Sequence, residues 1–230
     1  MKILLASDIH GQNRVVRFLR NVAEKYLFDS IIISGDLAGW KDPESIFGVF
    51  GELAKFNGKV ICVPGNSDYL NFLDISRDYS NMVMLHGESF KMENIIFSGV
   101  GGMQEGTDHG SFLSLPESEL YSMSMKAFQR EDGKFNITIS HVPPYKIQDY
   151  TRYMNHAGSR GILRFIKEAQ PDVHVCGHIH ENPGISKVGD TTVINPGNLK
   201  INDRIFYITV REKIEAGYVK YGDYEKLNEI

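Results

Sequence analysis

Residues 2–10 read KILLASDIH, and residues 30–36 read SIIISGD. Each is an apolar run without polar alternation that stops at a small residue and an aspartate. Such a run suits a strand buried on both faces, as in a parallel sheet covered by helices. Between the two runs, Val15, Val16, Phe18, Leu19, Val22 and Ala23 recur at helical spacing over residues 12–26. Strand, helix and parallel strand make a βαβ unit, which sets the fold class as α/β.

The pattern extends outward. Pro43 suits the first turn of a helix over 43–56, and Lys59–Val63 reads as a third strand stopped by Pro64-Gly65. A short helix is expected over 68–77 and short strands over 82–85, 89–92 and 95–100. Residues 101–116 are rich in glycine and polar side chains and show no period. A helix is expected from Pro116 to about 130, a strand over 136–140, and a helix over 159–169 with Ile162, Leu163, Phe165 and Ile166 on one side. Residues 172–176, 184–188, 191–195, 204–210 and 214–220 read as strands, the last four as an antiparallel meander. One sheet does not hold this many strands comfortably. The expectation is two sheets packed together with helices outside, in one domain spanning 1–230.

With 230 residues, 42% hydrophobic and 23% charged, the chain can bury a full core. Its net charge of −4 argues against a dedicated nucleic-acid binder, which carries a basic face. Cys62 and Cys176 lie inside apolar runs and read as reduced core residues. The N-terminal apolar run is too short for a secretory leader, and no stretch approaches a membrane span. The expectation is a cytoplasmic protein with no membrane partner. The oligomeric state is left open.

The polar residues that break the pattern fall at strand ends. Asp8 and His10 follow the first strand, Asp36 the second, Asn66 the third, His141 the strand at 136–140, and His178 and His180 the strand at 172–176. In open α/β sheets the ligand site lies outside the carboxyl ends of the strands, so all seven point to one rim. Carboxylate, amide oxygen and imidazole suit divalent cations such as manganese, iron or zinc. Two such ions can share one carboxylate, and Asp36, following Gly35, is the natural bridge.

The ordered set Asp8-x-His10, Gly35-Asp36, Gly65-Asn66-Ser67-Asp68, Ser140-His141 and Gly177-His178-Ile179-His180 resembles the calcineurin-like metallophosphoesterase superfamily. The resemblance runs from the first strand to about Asn198 and implies a four-layer αββα sandwich of two mixed sheets flanked by helices. It implies that Asp8, His10 and His180 bind one metal, that Asn66, His141 and His178 bind the other, and that Asp36 bridges them and is catalytic. The cofactors would be two divalent ions, manganese first, with iron, zinc and nickel also compatible. The substrate would be a small phosphoester, attacked by a metal-bridging hydroxide.

One departure matters. Ser67 stands where the family usually has a histidine that contacts the phosphoryl group and protonates the leaving group. A serine donates a hydrogen bond but is a poor acid near neutral pH. The expectation is a preference for phosphodiesters or activated monoesters, with Asn66 and Ser67 touching substrate. His156, in the segment His156-Ala157-Gly158-Ser159, is the candidate replacement acid. Ser159 is a candidate anion contact at the start of the helix over 159–169.

Other polar residues read as structural: His86 and His109 as surface, and His174 as a hydrogen-bonded strand residue. Asp68 is expected to cap the helix after it or to support a ligating histidine. Tyr145, Tyr150, Arg152 and Tyr153 are candidate cleft residues, and Asn195-Pro196-Gly197-Asn198 a turn near the rim. Two rival functions remain. A nuclease would need a basic groove that the charge balance disfavours. A non-catalytic interaction scaffold of the same fold would tolerate loss of ligand positions, whereas all seven are present here.

Overall fold

A computed structural model describes residues 1–106, 110–220 and 222–230. The elements run β1 (Lys2–Ala6), α1 (Asn13–Lys25), β2 (Ser30–Ile33), α2 (Ser45–Leu53), β3 (Lys59–Cys62), α3 (Phe72–Ser76) and β4 (Met82–Met84). Next come β5 (Glu88–Met92), β6 (Ile95–Val100), β7 (Met103–Gln104), β8 (Ser114–Leu115), α4 (Glu117–Ala127) and β9 (Phe135–Ser140). The chain continues through α5 (Arg160–Ala169), β10 (Val173–Val175), β11 (Gly184–Val188), β12 (Thr191–Asn195), β13 (Arg204–Val210) and β14 (Ile214–Lys220).

Two six-stranded sheets form, in the orders β14-β13-β1-β2-β3-β4 and β11-β12-β10-β9-β6-β5. Each has four parallel strands, β1 to β4 in one and β12, β10, β9 and β6 in the other, completed by antiparallel strands. The expected α/β fold of two mixed sheets flanked by helices is therefore present.

Alternation of side chains across each strand builds the layers. Ile3, Leu5, Ile32 and Ile61 enter the core between the sheets, with Phe97, Ile137, Val175 and Phe206. Leu4, Ala6, Ile31, Ile33 and Val60 face the other way, onto Val16, Leu19 and Val22 of α1 and Val49 and Phe50 of α2. A third core joins Val100, Val193 and Cys176 to Leu120 of α4 and Ile162, Phe165 and Ile166 of α5. Burying both faces of each parallel strand explains why the strand runs carry no polar alternation. Both cysteines are free and buried, as expected.

The expected meander is the main correction. β11 pairs with β12 in one sheet, whereas β13 pairs with β14 and β1 in the other. The connection between β12 and β13 crosses from sheet to sheet, because β13 finishes the open edge of β1. The expected helices over 43–56 and 68–77 shorten to 45–53 and 72–76. The patternless 101–116 segment contains the short parallel pair β7–β8.

Candidate metal centre

The first sheet delivers Asp8, His10, Asp36 and Asn66 from beyond β1, β2 and β3; the second delivers His141, His178 and His180 from beyond β9 and β10. All five are parallel strands, so their C-terminal ends share one rim across both sheets.

The backbone bends sharply to aim these side chains. Asp8 (φ 56°), His10 (φ 50°), Asp36 (φ 53°) and His178 (φ 66°) all lie in the left-handed region. That conformation costs an L-residue about 1 kcal/mol, and it gathers where function requires it. Backbone bonds hold the bends: Asp8 N donates to Gly35 O (3.0 Å), and His10 N donates to Asp36 O (2.9 Å). Gly35 (φ 96°) makes the tight turn before Asp36. A Cβ on Gly65 would stand 2.0 Å from Asp36 Oδ1, so only glycine lets the Asn66 loop close over that carboxylate.

Ligand-type nitrogen and oxygen atoms converge here. His141 Nδ1 lies 2.8 Å from Ser34 O. A carbonyl only accepts, so in the neutral ring the proton sits on Nδ1 and Nε2 is bare. That bare nitrogen faces Asn66 Oδ1 at 2.9 Å. Across the site, His10 Nε2 and His180 Nε2 stand 3.3 Å apart. His180 Nε2 is 3.2 Å from the buried Asp8 Oδ1. Ligand atoms bound at about 2.1 Å to one cation lie roughly 3.0–3.4 Å from each other, so these separations fit such ions.

Two sets of ligand atoms gather within 4.8 Å: Asp8, His10 and His180, and Asp8, Asp36 and His141. Asp36 turns one oxygen to each side. Its Oδ2 is 3.7 Å from His10 Nε2, and its Oδ1 is 3.6 Å from His141 Nε2. The His178 ring lies beside that of His141, with centroids 5.1 Å apart, and the backbone N–H of His178 donates to Asp8 Oδ2 at 3.2 Å.

Electrostatics follow from this crowding. Burial pushes the Asp8 carboxyl up, but the hydrogen bond and charge of His180 outweigh it and hold the group below the usual carboxylate range. Burial lowers His180, and Asp8 and Asp36 more than reverse that. A proton on His180 thus neutralises the carboxylates in part, as a cation would. Burial, followed by the neighbouring His141, brings His178 down to about 4 and keeps its ring neutral, the form that ligates a metal.

Several residues have other duties than expected. Ser67 gives its N–H to Asp36 Oδ1 (2.8 Å) and its hydroxyl to Asp36 Oδ2 (2.9 Å), so both of its protons are engaged by the carboxylate. Ser159 is fully buried; its hydroxyl caps Ile162 N of α5 at 3.1 Å and bonds the Glu117 carboxylate. Glu117 also takes the N–H groups of Arg160 (2.9 Å) and Gly161 (2.7 Å). The anion position at the start of α5 is therefore filled from within the protein, which corrects the reading of Ser159 as a substrate contact. Asp68 caps no helix: it accepts from Leu37 N, Ala38 N and Gly65 N, tying the Asp36 loop to the Asn66 loop. Burial and the nearby Asp36 charge raise its carboxyl to about 6 despite those donors.

His156 lies on the loop after His141, half-exposed, with Nδ1 2.7 Å from Asp149 Oδ1. Asp149 is buried and its other oxygen accepts from Lys146 N and Gly158 N. The tyrosines Tyr145 and Tyr150 flank the His156 ring, while Tyr153 stands largely exposed beside Arg152. The turn at 195–198 does meet the rim, where Asn198 Nδ2 donates to Asp8 O (3.0 Å) and Asn195 Nδ2 to Ile179 O (3.0 Å). His174 bonds Thr138 and Ser140, as expected. His86 is half-buried and accepts from Gly101 N, correcting its assignment to the surface. His109 lies outside the described residues.

Asp149 and Glu117 were not singled out in the sequence. Each acts on a partner 7 or more positions away, through a fold-made contact that no local motif marks.

Two mixed sheets with carboxylate, amide and imidazole donors at their shared rim define a cation-binding α/β scaffold. The profile of the calcineurin-like phosphoesterase family matches residues 1–182, and the chain belongs to that family, whose members bind two divalent metals. An uncharacterized protein, MJ1162, of Methanocaldococcus jannaschii is 30% identical over 203 residues, 85% of this chain and 88% of that one. The structure of TT1561 of Thermus thermophilus superposes with a TM-score of 0.71 at 20% identity, covering 94% of this chain and 97% of that chain. A dimetal phosphatase of Danio rerio does so with a TM-score of 0.59 at 12% identity, covering 96% and 99%. At such identities the two structures share the fold with this chain. Family membership supports metal-dependent phosphoester hydrolysis. Among the described residues, no helix is long and apolar enough to cross a membrane.

Proposed function

We propose that this protein hydrolyses phosphodiesters, and phosphomonoesters with good leaving groups, at a centre of two divalent cations. Asp8, His10 and His180 hold one, Asn66, His141 and His178 the other, and Asp36 lies between them. Manganese is favoured, and iron, zinc and nickel suit the same donors. The observation that carries this reading is the facing of two bare acceptors, His141 Nε2 and Asn66 Oδ1, with the His10 and His180 imidazole nitrogens meeting 3.3 Å apart across the site. When bound, the cations supply Lewis-acid stabilisation of the phosphoryl oxygens and a water nucleophile of lowered pKa.

The chain's own residues do the rest. Ser67 holds both oxygens of Asp36 and fixes its orientation. Ser34 O holds the His141 proton on Nδ1 and leaves Nε2 free to ligate. With Ser67 engaged, the leaving group needs another acid, and His156 is the proposed one. The buried Asp149 carboxylate orients its Nδ1, which leaves Nε2 to carry the transferred proton. Its loop is tied to the His180 segment by Arg152 N donating to Glu181 Oε1 at 2.6 Å.

The test is a comparison of an aryl phosphodiester with an aryl phosphomonoester under manganese. A large preference for the monoester would sink the diester assignment. Assaying His156→Ala across the pH range tests the acid; an unchanged profile removes His156 from the mechanism.

A further inference from the structure

Three aromatic side chains stand on the Asn66 side of the centre, and the chemistry above makes no use of them. Trp40 follows Asp36 by four residues, and Tyr69 follows Asn66 by three. Phe112 arrives from a different loop, and its N–H donates to the carbonyl of Asn66 itself at 2.8 Å. Each ring is thus carried on, or fastened to, a loop that bears a candidate ligand.

The rings form a continuous tier. Tyr69 and Phe112 stack with centroids 4.5 Å apart and planes 24° from parallel. Phe112 and Trp40 follow at 5.6 Å and 42°. Tyr69 packs on the helix-side core and anchors the tier. A Cβ on Gly110 would come within 2.8 Å of Trp40 Cζ2, so the backbone there is bare where the indole lies. Yet Trp40 is 44% exposed and Phe112 39%. Stacked, anchored rings that remain this open offer a planar surface rather than a core contact. On the His180 side charged and polar residues replace the rings, with His180, Glu181, Asn202, Asp203 and Arg204 lining a cavity of about 370 Å³.

We propose that the Trp40–Phe112–Tyr69 tier is a subsite for a planar aromatic or heteroaromatic ring carried by the phosphoester. This makes the substrate class aryl- or nucleobase-bearing phosphoesters, and it rests on the phosphoesterase reading. A ring stacks on aromatic side chains with little dependence on its substituents, because every such ring has a π-face. The net charge of −4 favours one ring near the phosphoryl group over a polynucleotide strand.

Trp40 is the sole tryptophan, so indole fluorescence reports on the tier directly. The manganese-loaded protein is titrated with AMP and with the ribose phosphate that lacks the base. AMP is expected to quench the indole and to bind about tenfold more tightly than ribose phosphate. Phe112→Ala is expected to bring that ratio to within about twofold, and Phe112→Tyr to keep it. If Phe112→Ala binds neither ligand, Trp40→Leu followed by calorimetry carries the same comparison. An indole unchanged by AMP, equal affinities in the wild type, or a ratio that survives both truncations overturns the proposal. A retained AMP preference with no hydrolysis of any ester would sink the phosphoesterase reading and leave the subsite standing. Hydrolysis without ring preference would do the reverse.

Discussion

Ser67 gives both of its protons to Asp36, the N–H to Oδ1 at 2.8 Å and the hydroxyl to Oδ2 at 2.9 Å. The pair is buried, so the hydroxyl bond is one to a carboxylate away from water, worth about 1.5–3 kcal/mol. Ser67→Ala is expected to lower kcat/KM on an aryl diester by roughly tenfold or more. It is also expected to raise the manganese concentration needed for half-maximal activity. Kinetics at varied manganese check this; an unchanged metal requirement would show that Asp36 keeps its pose without Ser67.

Chelation should destabilise the protein independently of any assay. Without cations, His141 Nε2 and Asn66 Oδ1 press two bare acceptors together, and the carboxylates of Asp8 and Asp36 lie buried beside them. A ligand that binds only the folded state stabilises it by about 4 kcal/mol at a thousand times its Kd. Manganese is expected to raise the melting temperature of the chelated protein, and His141→Ala to remove most of that rise. Calorimetry with elemental analysis checks both.

Glu117 is expected to be worth more to stability than its place in the first turn of α4 implies. Its carboxylate takes Arg160 N and Gly161 N and the Ser159 hydroxyl at the start of α5. Charged capping of this kind contributes about 2 kcal/mol. Glu117→Ala should lower the unfolding midpoint by roughly 4–8 °C, and Glu117→Asp, one methylene shorter, by less. Thermal melts of the two variants decide it.

His174 makes acid stability measurable. Burial lowers its pKa to about 3, whereas an unfolded histidine titrates near 6.5. Between those values the unfolded chain binds the extra proton, so stability is full above about pH 6.5 and is lost as the pH falls toward 3. The slope is about 1.4 kcal/mol per pH unit for one proton. Urea unfolding of the chelated protein at several pH values should show His174→Gln with a shallower acid slope than the wild type. Parallel slopes would mean that His174 is protonated in the folded state.

Much of the fold was legible because it rests on burial. KILLAS and SIIIS announce strands covered on both faces, and Val16, Leu19 and Val22 a helix on one of them. Sheet membership was not legible: β12 and β13 look alike in sequence, but their partners, β10 and β1, lie more than a hundred positions apart in the chain. Ser159 shows the same limit on the site. A serine before a helix signals a cap, and the cap is present, but whether the helix start is open to an anion depended on Glu117, 42 positions away.

The sequence by itself determined the two kinds of sheet surface and the placement of seven donor residues after strands, because both are local consequences of apolar runs and their ends. Tertiary structure alone decided that Ser67 serves Asp36, that Asp149 orients His156, and that Trp40, Tyr69 and Phe112 assemble beside Asn66. Those outcomes depend on distances between separate loops. Loop-to-loop distances follow from how two sheets pack, which no stretch of the chain encodes alone.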